Sequence, residues 1–480
     1  MVKGGASSEF YRVLTNRLKC DRFLIIKSFV TYCFIITIQK VSLLYLQLHQ
    51  VEISIENDTL CFVLFAGCFA VCLHCMTRLV SGSGMFKVEK RTFGMVNEVQ
   101  LPRILKIGAG ATQQTATLLN DLGRRSPLLI TDKVMVSLGY PNQLKEILKE
   151  AGISCTVFAD TVPEPTVSSI EQGVEVFRSG DFDAIIALGG GSPIDSAKAI
   201  NILGTHGGQM RDYKFPRIVT ESGVPLIAIP TTAGTGSEVT RFTIITDDEV
   251  DEKMLCVGLG FMPDAALVDY KLTESVPPRV TADTGIDALT HAIEAYVSQK
   301  ANMFSDAQAT AAMKLIAPNL RKAYHQPDNA QAREAMMLGS TLAGMAFSAA
   351  SVALVHGMSR PIGAFFHVPH GLSNAMLLPT LTQFSIPSAK ERYANCARFM
   401  GIASEESSDD AACNALVQEL VDINKELSVP TMSEFGIDKD EYFSLSETMA
   451  EQALASGSPG NNPRVPVKQE IVELYHQLWA

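Results

Sequence analysis

Apolar and polar positions change their rhythm three times along this chain. Residues 24–48 and 60–76 are nearly continuous apolar runs. The second, 17 residues without a formally charged side chain, stands at the lower limit for a membrane span. The first holds Lys27, Gln39 and Lys40, which raise the cost of insertion unless they lie near its ends. From residue 101 short apolar stretches alternate with loops and helical patterns. The spacing predicts strands within 104–110, 127–132, 155–158, 184–188 and 226–230, and helices over 140–151, 168–179 and 196–203. Strand, loop and helix repeating at this interval imply an α/β domain with right-handed crossovers. After Pro277 and Pro278 the helical period takes over. One helix covers 287–296, and a buried, small-residue-rich helix covers 338–355 and ends at His356. The chain thus divides into an atypical apolar extension (1–84), an α/β domain (95–276) and an all-helical domain (277–480).

Lys3, Arg12, Arg17, Lys19 and Arg22 give the extension a basic start. No small-residue cleavage site follows a short apolar core, and Glu9 and Asp21 do not suit a mitochondrial presequence. A membrane anchor, an unusual targeting leader and a segment the working protein does not use are the three readings. The third is the expectation, because both domains and all candidate functional residues lie beyond Met85 and Met95. A cytoplasmic location goes with it. A membrane anchor or mitochondrial import is the alternative, and membrane contact is expected only if the extension is part of the mature protein.

Composition narrows the partners. Hydrophobic residues at 47% against 19% charged fit two globular domains. The formal net charge of -11 and the pI of about 5.4 disfavour unspecific attraction to nucleic acid. Six of the ten cysteines precede residue 80 and the other four are scattered, which is no disulfide framework and suits a reducing compartment. Cys72 and Cys75 form a C-x2-C pair without the second pair a zinc site needs.

Two loops at strand ends carry candidate chemistry. Gly189, Gly190, Gly191, Ser192 and Asp195 (GGGSPID) join a buried strand to a helix. Glycines let a backbone approach a phosphate, and a helix N-terminus offers free N–H groups and a positive dipole end. The string is not the G-x-G-x-x-G fingerprint, and a tight structural turn is the other reading. Thr231 and Thr232 open the second loop, TTAGTGSE, whose hydroxyls suit phosphate or ribose oxygens as well as they suit a surface turn. Asp132 ends an early strand, where a carboxylate accepts ribose hydroxyls and repels a 2′-phosphate; a solvated turn aspartate is the alternative.

In the helical domain Asp287 and His291 stand four apart and share one helix face. His356 and His370, fourteen positions apart, each precede a glycine. One carboxylate and three imidazoles suit iron(II) or zinc(II), not calcium. Alone, the Asp287–His291 pair reads as a helix-surface hydrogen bond, and a lone histidine in an apolar helix as a satisfied core residue. His367 is close to His370 and faces the same cleft in one reading, or is structural in the other.

Taken together, LGGGSPIDSAKA (188–199), IPTTAGTGSEVT (229–240), TGIDALTHAIEAY (284–296), VHGMSRPIGAFFHVPHGLSNAMLLP (355–379) and IVELYHQLW (471–479) resemble the iron-containing alcohol dehydrogenase family over residues 95 to 480. The resemblance implies a dehydroquinate synthase-like pairing of domains and a homo-oligomer, most simply a homodimer. It implies a metal, iron(II) first and zinc(II) second, on Asp287, His291, His356 and His370. It implies NAD on Gly190, Gly191, Ser192, Asp195, Thr231, Thr232 and Lys253, with Asp132 favouring NAD over NADP. A family member similar around VHGM carries a histidine where Arg360 stands, so a proton path there does not transfer. Such relatives often carry an asparagine near the adenine side where this chain has Glu164. His367 becomes the nearest candidate proton carrier, with Arg360 beside it as a second catalytic candidate. The implied reaction moves a hydride between a small alcohol or aldehyde and NAD(H). The apolar surroundings of Phe365 and Phe366 fit an uncharged substrate, unless Arg360 pairs with a substrate carboxylate. A hydroxy-acid or polyol dehydrogenase is the rival within the superfamily. An inactive, membrane-anchored binding protein is the rival from another class.

Overall fold

The apolar stretches of the first half become strands in the computed structural model, which describes residues 96–479. The extension, with its two apolar runs and the Cys72–Cys75 pair, lies outside the described residues. The strands are β1 (Ile104–Ile107), β2 (Pro127–Ile130), β3 (Thr156–Phe158), β4 (Ala184–Gly189) and β5 (Leu226–Pro230), then β6 (Phe242–Asp247), β7 (Glu252–Val257) and β8 (Ala265–Val268). Six of them form one sheet in the order β1-β8-β5-β4-β2-β3, and every neighbouring pair is parallel. Helices α1 (Thr115–Asp121), α2 (Lys133–Ser137), α3 (Tyr140–Glu150), α4 (Val167–Arg178) and α5 (Gly191–His206) cover it.

A parallel sheet buried on both faces needs apolar residues at odd and even positions alike. Leu128, Ile130, Ile185 and Ala187 join the core under α4 and α5, while Leu129, Ala184, Ile186 and Leu188 join the core under α1 and α3. From β2 the chain steps outward to β3, then reverses past β2 to β4, β5 and β8. The carboxyl ends of β2 and β4 flank that reversal, the place where open α/β sheets form a crevice. Asp132 follows β2 and the three glycines close β4, so both reach it.

The hairpin of β6 and β7 did not stand out in the sequence. Its burial alternates along β6, with Thr243, Ile245 and Asp247 inside. It is tied to the sheet by Lys198, which is fully buried on α5. The ammonium donates to Ser237 Oγ (2.9 Å), the Thr240 carbonyl (3.1 Å) and hydroxyl (3.2 Å) and the Phe242 carbonyl (2.7 Å), and lies 4.0 Å from Asp195.

The second half consists of α6 (Pro278–Val297), α7 (Met303–His325), α8 (Ala330–Ala350), α9 (Leu354–Phe366), α10 (His370–Ser385), α11 (Lys390–Phe399), α12 (Asp409–Glu426), α13 (Met432–Phe435), α14 (Lys439–Ala455) and α15 (Lys468–Leu478) around one apolar core. Pro278 starts α6 at a position where its missing N–H costs nothing. The single helix expected over 338–355 is instead two, α8 and α9, bent by 103° at a break where Ser351 takes a φ of 63°. Among the described residues no single helix is long and apolar enough to cross a membrane. At the far end the indole of Trp479 packs against Tyr442 and Phe443, with ring centres 5.2 and 5.9 Å away.

Removing the Lys198 ammonium orphans two carbonyls and leaves Asp195 without its cation. Lys198→Met is expected to lower stability by about 3 kcal/mol, read as a lower urea midpoint. Burial also lowers the Lys198 pKa from 10.5 to about 8. Between those two pH values the unfolded chain holds the proton that the native one has released, so this lysine's contribution to stability rises with pH there. The variant should lose that slope, and a profile identical to the wild type would disprove the assignment.

Candidate active site: a buried carboxylate among three imidazoles

Asp287, His291 and Glu294 occupy successive turns on one face of α6, and all three are buried. Glu294 organises the neighbouring helix. Its carboxylate accepts N–H bonds from Ala353 (3.0 Å) and Val355 (2.6 Å), capping the first turn of α9, which has no side-chain cap of its own. It also meets His356 Nδ1 at 2.6 Å. His356 Nε2 is thereby turned toward Asp287 Oδ1, at 3.4 Å. His370 arrives on α10. A Cβ on the next residue, Gly371, would stand 2.5 Å from the Asp283 carbonyl oxygen, so only glycine lets α10 begin this close to α6. His370 Nε2 then lies 3.9 Å, and His291 Nε2 3.8 Å, from the same Asp287 oxygen. Phe347 stacks on His291 at 4.2 Å and His291 on His356 at 4.4 Å, a column that fixes the ring planes.

The four ligand atoms lie within 4.8 Å of one another. Metal–ligand bonds of about 2.1 Å in a tetrahedron place ligand atoms about 3.4 Å apart, so the set fits one small transition-metal ion with little adjustment. Charge agrees with that fit. Burial opposes ionisation of Asp287, but His291, His370 and His356 overcome it and hold the carboxyl far below its usual range. Burial drives His291 to about 3 and His370 to about 4, leaving both neutral with a lone pair to offer. Burial opposes charge on His356 too, yet Glu294 and Asp287 together raise it to about 9. An imidazole gripped at Nδ1 by a carboxylate is the arrangement that strengthens a metal ligand. Asn374, one turn after His370, donates to Asp287 Oδ1 at 2.7 Å and sits 3.1 Å from His356 Nε2 and 3.2 Å from His370 Nε2.

A cavity of about 200 Å³ opens from this quartet toward the α/β half. Gly191, Ser192, Asp195, Lys253 and Arg360 line it with the four residues just described. Gly190 and Gly191 begin α5 with no side-chain cap, so its first N–H groups point out of the helix end. Asp195 is more committed than expected: it accepts from Ser237 Oγ (2.5 Å) and Ile244 N (2.9 Å), which binds the hairpin to α5. Thr231 and Thr232 flank this end. Thr231 N donates to the Gly189 carbonyl, its buried hydroxyl has no partner among the described residues, and Thr232 packs against Gly190. Asp132 stands outside the cavity lining and caps α2, accepting from Met135 N at 2.8 Å.

Three expectations need correction. His367 does not face the cleft: it ends α9 in a left-handed conformation (φ 54°), exposed and outside the cavity lining, because the chain must turn sharply to start α10. Phe365 and Phe366 pack on the helical core; the cavity's aromatic walls are Phe242 and Phe347. Glu164, expected near the adenine side, is found beside the quartet. It lines the same cavity and pairs with Lys253 at 2.5 Å. Glu294, Asn374, Phe347 and Lys198 were missed, although three of them follow a recognised residue by three or four positions on one helix.

Comparison with known proteins agrees with this geometry. Residues 102–270 match the family model for iron-containing alcohol dehydrogenase, and 281–479 the model for the C-terminal part of the Fe-containing alcohol dehydrogenase family. The chain is 36% identical over 388 residues to lactaldehyde reductase of Escherichia coli K12, covering 80% of this chain and 100% of the relative. It is 40% identical over 373 residues to long-chain-alcohol dehydrogenase 1 of Geobacillus thermodenitrificans, covering 76% and 93%. The crystal structure of a 1,3-propanediol oxidoreductase superposes with a TM-score of 0.77 at 35% identity, covering 80% of this chain and 100% of that one. The chain belongs to the iron-containing alcohol dehydrogenase family.

Proposed function

We propose that this chain oxidises small alcohols, and reduces the matching aldehydes, with NAD(H) and one divalent ion, iron(II) ahead of zinc(II), held by Asp287, His291, His356 and His370. One observation carries the reading: the quartet and the uncapped start of α5 open into a single cavity. When bound, the ion supplies Lewis acidity that acidifies an alcohol or polarises a carbonyl. The dinucleotide supplies the hydride acceptor or donor.

The chain's own residues position these partners. Glu294 fixes the tautomer and direction of His356, and the Phe347 ring holds His291 in plane. The α5 N-terminus, with Gly190, Gly191 and Ser192, suits a pyrophosphate. Asp132 retains a carboxylate oxygen beyond its cap and supports a preference for NAD. Phe242, Ile244, Leu255 and Val352 give the cavity apolar walls that exclude water. Burial lowers the Arg360 guanidinium to about 10, still charged at neutral pH, so it orients and does not carry protons.

Two outcomes check the reading. Glu294→Gln keeps the shape but weakens the grip on His356, and metal affinity should fall roughly 10- to 100-fold, measured by calorimetry with iron(II) or zinc(II). Unchanged affinity would remove Glu294 from the site. Asp132→Asn keeps the α2 cap and removes the charge. The ratio of kcat/KM for NADP over NAD should rise by about tenfold or more, worth about 1.4 kcal/mol. No NADH formation by the metal-loaded chain from any short alcohol would refute the function itself.

A further inference from the structure

Arg360 stands one turn after His356 on α9, its side chain buried on the wall of the quartet's cavity. A buried guanidinium ordinarily has a carboxylate partner, because an unpaired interior charge is costly. Arg360 makes one hydrogen bond, to the Ser458 hydroxyl at 2.9 Å, and no ion pair among the described residues. The carboxylate that acts on it electrostatically is Glu294, which is already spent on His356 and two backbone N–H groups. The other cation on this wall, Lys253, is neutralised by Glu164 at 2.5 Å. The remaining Arg360 donors are not among the buried polar atoms left without a partner, so they keep solvent access, and the side chain lines both the quartet's cavity and an adjoining one with Lys214, Glu252 and Gln452. Among the described residues the cavity therefore has a single uncompensated cation close to the quartet, and it is the side chain whose planar fork matches a carboxylate.

We propose that the physiological substrate is a short-chain hydroxy acid or its semialdehyde, and that Arg360 binds the carboxylate at the far end from the reacting carbon. This rests on the dehydrogenase reading above and narrows its substrate. Neighbours one turn apart on a helix have Cβ atoms about 5–6 Å apart. That span and a cavity of about 200 Å³ suit a chain of roughly three to five carbons. In the oxidative direction the C–H of the hydroxyl-bearing carbon passes as hydride to NAD+. The hydroxyl proton goes to solvent, the carbon becomes an aldehyde, and the carboxylate is unchanged. Arg360 is thus a specificity residue: it selects and aligns the substrate without exchanging a proton.

The test uses the full-length, metal-loaded protein with NAD+ and pairs of substrates of equal length: 3-hydroxypropionate against 1,3-propanediol, and 4-hydroxybutyrate against 1,4-butanediol. The acid of each pair should show at least tenfold higher kcat/KM. Arg360→Met should cut that acid-to-diol ratio at least a hundredfold, with Arg360→Lys between the two. A second measurement needs no variant: butyrate should bind the metal-loaded NADH complex at least tenfold more tightly than butyramide by calorimetry. Diols equal to or better than the acids, together with equal binding of butyrate and butyramide, would overturn the clamp and leave the alcohol dehydrogenase reading standing. An Arg360→Met protein that loses NADH affinity as steeply as hydroxy-acid turnover would assign Arg360 to the cofactor and overturn it as well. Tight butyrate binding without NADH formation from any alcohol or acid would support the clamp and sink the dehydrogenase reading.

Discussion

Two buried carboxylates on one face of α6 set the terms for everything around them. Neither Asp287 nor Glu294 can be left alone in the interior, since an unpaired charge there costs several kcal/mol at least. Glu294 is satisfied by the first turn of α9 and by His356, which fixes where that helix begins after the 103° break. Asp287 is satisfied by what α9 and α10 then deliver, three imidazoles and the Asn374 amide. The bend between α8 and α9 and the closeness of α10 to α6 follow from this pairing. The helical half is therefore built outward from a charge problem whose solution is also a metal site.

The α/β half meets it through equally committed polar groups. Glu238, in the loop after β5, is buried and accepts from Thr341 on α8 at 2.8 Å. The Phe242 ring of the hairpin continues the Phe347–His291–His356 column at 6.0 Å. Lys198 and Asp195 hold that hairpin against the start of α5. Each contact places a loop of one half on a helix of the other, so the distance between a dinucleotide on α5 and a substrate at Asp287 is set by packing, not by a flexible linker. Close placement of reactants is a large part of what such a protein contributes to a hydride transfer.

Much of this was legible in the residues because helices repeat every 3.6 positions. Asp287 and His291 announced themselves by spacing. Glu294, Arg360 and Asn374 obey the same rule relative to Asp287, His356 and His370, and the signal was present for each. The central strands were legible as continuous apolar runs, since burial on both faces leaves no alternation to misread. The break at Ser351 was not: the apolar run passes through it unbroken, and it depends on Glu294, about 60 positions earlier, finding the N–H groups of α9. The fate of His367 was hidden for a related reason. Proximity in sequence to His370 suggested a shared direction, but a left-handed residue at a helix end points its side chain away from the face its neighbours share. The hairpin was lost because its alternation is short and interrupted by acidic residues at the turn.

Trp479 gives the molecule an asymmetry of a different kind. It is the only tryptophan in the chain, and it sits on the aromatic cluster of Tyr442 and Phe443 at the end of the helical half. Indole emission in this protein is therefore a local reporter. It follows the seating of α15 on α14 and is blind to the parallel sheet. A fluorescence trace that shows one transition speaks for half of the structure, and far-ultraviolet dichroism must follow the other half before the unfolding is described as a single cooperative step.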